Sequence, residues 1–191
     1  MNDSQRGNVL RYFAVILAFG GVVALGIGGY VYSGWYQIGA DEPHTMPVLR
    51  VLEFLRERSI ERAARDISVP ALDAPQLLIA GGPDYNEMCA TCHLKPGRTQ
   101  SDMSVGLYPA PPDLTKHDED HSEGGPEAAA RRQFWIIKHG IKASGMPAWG
   151  PTHDDQRIWA MVAFLQKLPG LSEFQYQILT ARGDADSGHA H

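Results

Sequence analysis

The stretch Cys89-Ala90-Thr91-Cys92-His93 decides how this sequence is interpreted, because it holds the only two cysteines among 191 residues. A Cys-x-x-Cys-His run is the attachment signature of a c-type haem. Two thiols at this spacing can form thioethers with the two vinyl groups of one haem, and the histidine that follows is placed to ligate the iron. We therefore expect one haem c, held covalently by Cys89 and Cys92, with His93 as a metal ligand.

Three other interpretations of the cysteine pair fit less well. A structural zinc site needs about four ligands, usually from two paired clusters, and the chain has one cysteine pair. A thioredoxin-like redox pair would sit within a βαβ pattern, and no convincing strand pattern flanks this one. A disulfide between Cys89 and Cys92 would close a very short, strained loop.

The composition sets broad limits on the fold and on binding partners. A length of 191 residues, 43% hydrophobic content and a net charge of −5 suit one small domain with appendages. The mild acidity argues against nucleic-acid binding, which needs a basic face. A haem domain of about 90 residues with long loops has a thin core, so a covalent haem would also stabilise it.

The most apolar segment runs from Tyr12 to Tyr32 and contains no charged residue. As a helix it is long enough to cross a hydrocarbon core of about 30 Å. A cleaved signal peptide is the alternative, with a weak cleavage site at Ala24-Leu25-Gly26, but the apolar region of such peptides is typically shorter. We therefore predict that residues 1–36 form an uncleaved transmembrane anchor.

Basic residues predict the orientation of this anchor. Arg6 and Arg11 precede the apolar segment, and the next basic residue is Arg50. Because positive charge favours the cytoplasmic side, the N-terminus should be cytoplasmic and the remaining chain periplasmic, in a single-pass protein of a bacterial inner membrane. Covalent haem attachment in bacteria takes place on that periplasmic side, where the topology puts Cys89 and Cys92.

A ridge of small residues, Gly20, Ala24 and Gly28, recurs at four-residue spacing in the same segment. Such a ridge lets a partner transmembrane helix approach closely. Glycine is also common in membrane helices in general, so the pattern leaves both interpretations open.

The region between the anchor and the haem domain, residues 37–79, is predicted to be a linker with one amphipathic helix at residues 48–67. The apolar stripe of this helix must be buried on the haem domain, the membrane surface or a partner subunit. Its mixed charges favour a protein surface over a membrane. Residues 69–80, with two prolines, indicate an extended connector.

The haem domain is predicted at residues 80–169, with helices at 83–92, 126–138 and 154–168. Pro83 suits the first turn of the first helix, and Thr152 or Asp154 can cap the last. Residues 170–191 are expected to form a flexible C-terminal tail.

A second iron ligand is expected in the loop Gly145-Met146-Pro147, just before the last predicted helix. A methionine thioether suits haem iron, and the flanking Gly and Pro can fix a tight approach of the backbone. The simpler alternative is a core methionine that fills a gap. Other candidate ligands are methionines and histidines elsewhere in the chain: Met88, Met103, Met161, His117, His121 and His139.

Together, the Cys-x-x-Cys-His run, a Pro-rich stretch, the Gly-Met-Pro loop and a final aromatic helix resemble class I c-type cytochromes over about half of the chain. The resemblance implies an all-α, haem-wrapping domain, here preceded by one transmembrane helix and an amphipathic linker helix. Leu94 departs from the pattern, since many relatives have Gly after the histidine. The arrangement also resembles bacterial membrane-anchored cytochromes that are subunits or partners of larger oxidoreductases.

The same resemblance implies roles for particular residues. The carbonyl of Pro111 or Pro112 would accept the hydrogen bond of the proximal histidine, which fixes the ring and raises its basicity. Tyr85 and Phe164 would meet where the first and last helices cross, and Trp149 would pack on the haem edge.

The expected function is electron transfer rather than enzymatic catalysis. Ligation by histidine and methionine saturates the iron and raises its potential relative to two histidines. The haem would then carry single electrons in a respiratory chain, from a dehydrogenase or cytochrome bc complex to a terminal oxidase. Two alternatives stay open: a permanent subunit of a larger membrane oxidoreductase complex, and a haem enzyme or gas sensor with an open iron site.

Overall fold

The structure is a computed structural model that describes residues 3–116 and 124–181, and every regular element in these ranges is helical. The all-α prediction is therefore confirmed for this part of the chain. The candidate ligands His117 and His121, and the tail beyond residue 181, lie outside the described residues.

The helices are α1 (Asp3–Ser33), α2 (Met46–Ala64), α3 (Pro75–Asp84), α4 (Ala90–His93), α5 (Asp102–Gly106), α6 (Gly125–His139), α7 (Asp155–Leu165) and α8 (Glu173–Thr180). A π-helical turn (Tyr85–Cys89) joins α3 to α4, and a 3₁₀ turn (Leu168–Gly170) precedes α8.

The chain divides into two compact units, Met1–Glu42 and Pro43–His191. In the first unit, Gln5–Ser33 of α1 contains an 18-residue window with a mean hydropathy of 2.1, and no residue of that window is buried. Its length and composition make it a candidate membrane span. A signal sequence would meet the same criteria, so the choice between anchor and signal peptide stays a prediction.

The helix that carries the cysteines begins earlier than the sequence pattern predicted. It starts at Pro75, and Pro83 lies inside α3, where it is buried. The predicted start at Pro83 and the predicted extended connector over 75–80 are therefore wrong. Pro75 takes the first-turn position, where its missing N–H costs nothing. Packing of the α3 backbone on α7 supports the helix through Pro83.

The crossing of α3 and α7 forms the centre of the second unit. A Cβ atom on Gly81 would lie 2.1 Å from the carbonyl oxygen of Ala160, so only glycine permits this backbone approach. Beside it, Tyr85 and Phe164 pack with ring centroids 5.4 Å apart. The contact that the family resemblance implied for these two aromatic residues is present.

The predicted flexible tail is wrong for residues 173–180, which form α8. Tyr176 of this helix is only 4% exposed and packs with Tyr85 and Phe164. The Ser172 hydroxyl accepts a hydrogen bond from the Gln175 N–H, and the Gln175 side chain accepts one from the Ser172 N–H. This capping box starts the helix, and burial of one tyrosine fixes it to the core.

Helix α2 confirms the predicted amphipathic helix, with bounds a few residues earlier. Ile60 and Ala64 are buried, and the helix packs on α6. An ion pair of 2.6 Å between Glu57 and Arg132 joins the two helices. The apolar stripe is only partly covered, since the first half of α2 leaves several large apolar side chains exposed.

Candidate haem-binding site

The two cysteines and the adjacent histidine lie at the end of one long helical segment. Cys89 closes the π-helical turn, and Cys92 and His93 occupy α4. Both thiols are partly buried and free of a disulfide. The helical spacing of three residues places them on neighbouring positions of one helix face.

The ring of His93 is oriented by a backbone contact. Its Nδ1 atom lies 2.9 Å from the carbonyl oxygen of Pro112. A carbonyl can only accept, so Nδ1 carries the proton and Nε2 carries the lone pair that a metal needs. Of the two prolines considered from sequence, Pro112 rather than Pro111 makes this contact.

Burial controls the ionisation of the site. It lowers the pKa of His93, although the hydrogen bond to Pro112 acts in the opposite direction. The imidazole is therefore neutral at neutral pH, the state required of a metal ligand. Burial also raises the pKa of the Cys89 thiol to about 12, with smaller contributions from Asp84 and Cys92.

The turn after His93 is tightly bonded to the core. The Tyr85 hydroxyl donates a hydrogen bond of 2.7 Å to the Leu94 carbonyl, and the Leu114 N–H donates one of 3.2 Å to the His93 carbonyl. Leu94 has φ of +69° and ψ of −179°, a conformation that favours glycine. The leucine that departs from the family pattern is buried there, so packing compensates for the backbone strain.

The loop that carries Met146 is docked on the end of α6. The Trp149 N–H donates to the Ile137 carbonyl at 3.0 Å, and the Gly150 N–H donates to the Lys138 carbonyl at 2.9 Å. These bonds satisfy carbonyls that the end of the helix would otherwise leave unpaired. At Gly140, φ is +65° and a Cβ atom would lie 2.7 Å from the Ala148 nitrogen. The close approach of this loop therefore depends on glycine.

The other candidate ligands differ in their surroundings. Met146, Trp149 and Met88 are partly buried and pack against one core cluster, whereas Met161 is fully buried inside it. His139 is exposed, with its ring 5.0 Å from that of Trp135. Met161 is thereby a core residue, and the choice of Met146 as iron ligand stays a prediction.

The described residues also bear on the zinc alternative. No group of three or more His, Cys, Asp or Glu side chains converges within residues 3–116 and 124–181. A structural zinc ion needs such a group. The donor set present in this region, two thiols and one neutral imidazole, fits a covalently attached haem instead.

A buried ion pair beside the site was missed from the sequence. Asp84, five residues before Cys89, is buried and accepts hydrogen bonds from Nε and Nη2 of Arg157 at 2.5 and 2.7 Å. The sequence pattern placed Asp84 in the first turn of a helix, where a carboxylate needs no partner. The correct start at Pro75 puts Asp84 at the last residue of α3, where the π-helical turn continues the helical segment. A search for a cation in the helix predicted at 154–168 would have found Arg157.

Comparison with known families bears directly on this site. The family model described as Cytochrome C oxidase, cbb3-type, subunit III matches residues 77–165, which include the cysteine pair, His93 and Met146. This region is a c-type cytochrome domain. The match covers somewhat less than half of the chain. The cytochrome domain therefore has the fold and the haem-based electron-transfer chemistry of that class, and its family implies covalently bound haem c.

No curated protein and no solved structure matches the chain.

Proposed function

We propose that this protein is a membrane-anchored monohaem c-type cytochrome that transfers single electrons in a respiratory chain. The observation that carries the proposal is the contact of His93 Nδ1 with the Pro112 carbonyl, directly after the cysteine pair. It fixes the ring and directs Nε2 away as the ligating atom. When bound, haem c supplies one iron that alternates between the ferric and ferrous states.

Each residue of the site has a defined part in this proposal. Cys89 and Cys92 would hold the haem through thioethers, and His93 and Met146 would ligate its iron. A thioether as the second ligand would raise the potential compared with a second imidazole. Trp149 would pack against the haem, and the 111–112 prolines would orient His93.

The proposed setting is the periplasmic side of a bacterial inner membrane. The apolar length of α1 and the arginines that precede it support this topology. A dehydrogenase or cytochrome bc complex would donate the electron, and a terminal oxidase would accept it. Confinement to the membrane raises the effective concentration of the haem domain near such partners.

Two measurements test the proposal. A haem stain of a denaturing gel, on separated membrane and soluble fractions, should label a full-length band in the membrane fraction. A redox titration of the Met146→Ala variant should give a lower potential, and its ferrous form should bind carbon monoxide. Met103→Ala, on the exposed side of α5, is the matched control and should change neither property. An unchanged potential in Met146→Ala would overturn the ligand assignment.

A second candidate function is a permanent subunit of a larger membrane oxidoreductase. It is favoured by the match to the model of an oxidase subunit. The Gly20, Ala24 and Gly28 ridge would then contact a transmembrane helix of the complex. Extraction in mild detergent distinguishes the two, because a permanent subunit co-purifies in fixed ratio and a mobile carrier elutes alone. Carbon monoxide binding by the unmodified ferrous protein would instead indicate an open-site haem enzyme or sensor.

A further inference from the structure

The first half of helix α2 carries an apolar surface that its own unit does not cover. Val51, Phe54 and Leu55 are 66%, 69% and 63% exposed. Their spacing of three and four residues places them on one side of the helix. The buried residues Ile60 and Ala64 fall on the opposite side by helical periodicity, where α2 packs on α6. The exposed patch is thus the outer side of a docked helix rather than an unpacked helix.

The sequence of α2 contains both acidic and basic residues. In the structure, Glu57 lies on the side that faces α6 and is separated from the charged residues on the outer side. Glu57 forms a 2.6 Å ion pair with Arg132 of α6 and accepts a 2.8 Å hydrogen bond from Arg56. The negative charge of Glu57 therefore stabilises the packing of α2 on the domain. It does not contribute a free carboxylate to the outer side.

The outer side continues from the apolar patch into basic residues. Arg58, Arg62 and Arg65 follow Val51, Phe54 and Leu55 along the same side of the helix by helical periodicity, and all three are exposed. Glu61 pairs with Arg58 at 2.8 Å, which leaves this side with a net positive charge. Binding of a helix to a membrane interface grows with the apolar area that it buries and with the attraction of its basic residues to anionic lipids, and this side of α2 offers both.

The segment that connects α1 to α2 is short. Residues 34–45 join the two helices. The linker is already fixed on the cytochrome domain at His44, whose N–H donates a hydrogen bond of 3.1 Å to the Tyr108 hydroxyl. The ten residues before His44 reach at most about 35 Å when fully extended. Trp35 and Ile38 in this tether are strongly exposed, as residues of a membrane interface would be.

We infer that the outer side of α2 rests on the surface of the membrane that α1 crosses. Val51, Phe54 and Leu55 enter the boundary between headgroups and acyl chains, and Arg62 and Arg65 bind anionic lipid phosphates. The inference rests on the proposed function in that α1 is an uncleaved anchor. Docking of α2 restricts the orientations in which the haem domain meets partners in the same membrane.

The test uses the full-length, haem-loaded protein in vesicles. In that protein both native cysteines are in thioethers, so Phe54→Cys provides the single free thiol for an environment-sensitive fluorophore. The matched control is Phe174→Cys on α8, since Phe174 is 70% exposed. Vesicles contain phosphatidylcholine and phosphatidylglycerol, with or without lipids that carry a quencher on the acyl chain. Each label is compared with itself in vesicles without quencher, so quenching by the haem cancels.

The label at position 54 should be quenched severalfold more by the lipid-borne quencher than the label at position 174. Replacing Arg62 and Arg65 by Gln should lower the docked-to-undocked ratio about fivefold for each arginine, and high salt should act in the same direction. Equal quenching at both positions would overturn the inference and leave the surface to a protein partner. If the label at position 54 is quenched equally with and without phosphatidylglycerol, and equally with and without the arginine substitutions, the anionic-lipid part of the inference is wrong.

Flotation of the same vesicles separates this inference from the proposed anchor. Protein that floats with the vesicles but shows equal quenching at 54 and 174 contradicts only the docking of α2. Protein that does not float contradicts the anchor, and the docking fails with it.

Discussion

Asp84 and Arg157 form a two-pronged ion pair between α3 and α7, with the guanidinium nitrogens 2.5 and 2.7 Å from the two carboxylate oxygens. Asp84 is buried, whereas about a third of the Arg157 side chain is exposed. Asp84 lies five residues before Cys89, the first cysteine of the Cys-x-x-Cys-His run. The ion pair therefore connects the stability of the helix crossing to the position of the attachment site.

Replacement of Arg157 by Gln should destabilise the protein, because it leaves a buried carboxylate without its guanidinium. We expect the free energy of unfolding to fall by about 3 kcal/mol, the lower end for breaking a buried pair, since Arg157 is partly solvated. Urea denaturation of the haem-loaded protein measures this loss. Lys138→Gln, which breaks the more exposed pair with Asp155, is the control and should cost less than about 1 kcal/mol. Equal losses in the two variants would contradict the prediction.

The Gly140→Ala variant should disturb the loop that carries Met146. Its methyl group would meet the Ala148 backbone at 2.7 Å, and the backbone there has φ of +65° and ψ of −170°, a conformation nearly restricted to glycine that alone costs about 1–3 kcal/mol. If Met146 ligates the iron, the potential should fall and the ferrous form should gain carbon monoxide binding. Gly170→Ala is the control, because a Cβ atom there meets nothing within 4 Å. A normal potential in Gly140→Ala would show that the loop tolerates the methyl group.

Ala143 occupies a left-handed conformation with φ of +55° in the same loop. Ala143→Gly should therefore raise the free energy of unfolding by about 0.5–1 kcal/mol, because glycine adopts this conformation without strain. The same change at Ala63, an exposed residue of α2, should lower it by about 1 kcal/mol, because glycine weakens a helix interior. Thermal or urea denaturation of the two variants should give shifts of opposite sign.

The docking of α2 on α6 should weaken in acid. Burial opposes ionisation of Glu57, but hydrogen bonds from Arg132 and Arg56 outweigh it and hold the pKa of Glu57 below its usual value. A depressed folded-state pKa gives stability that is present above the unfolded value and lost as the pH falls through the folded value. The unfolding free energy should thus decrease below about pH 4.5, the ordinary pKa of a glutamate. Glu57→Gln should lose part of this decrease in urea titrations at pH 7 and pH 4, and an identical pH dependence would contradict the assignment.

The parts of the fold that follow from local pattern were predictable. Helix α6 ends at His139, one residue after the predicted end at 138, before Gly140 with its positive φ. Helix α7 is capped by Asp154, whose side chain accepts from the Arg157 N–H at 2.8 Å. Both signals act within one helical turn, so they can be recognised from the local sequence alone.

The parts that depend on tertiary packing were not predictable. Proline at position 83 suggested a helix start, whereas the helix continues through it where α3 packs on α7 and Gly81 approaches Ala160. Helix α8 depends on Tyr176 filling the space beside Tyr85, a contact between residues 91 positions apart. The separation of the charges on α2 could not be predicted, because the partner of Glu57 is Arg132 on another helix, α6. The predicted hydrogen-bond partner of His93 was the carbonyl of either Pro111 or Pro112, and the choice between them depends on backbone geometry.

The contact of Gly81 with Ala160 closes a loop of the chain, because it joins α3 to α7. The cysteine run and the methionine loop both lie in the segment between these two residues. The entropy of closing a loop of about 80 residues grows only with the logarithm of its length, so ten additional residues between α5 and α6 would cost roughly 0.1 kcal/mol. A single methyl group at position 81 would cost far more, since it would meet the Ala160 backbone. Evolution can therefore vary the length of the segment between the cysteine run and the methionine loop with little loss of stability, whereas the crossing itself is intolerant of change.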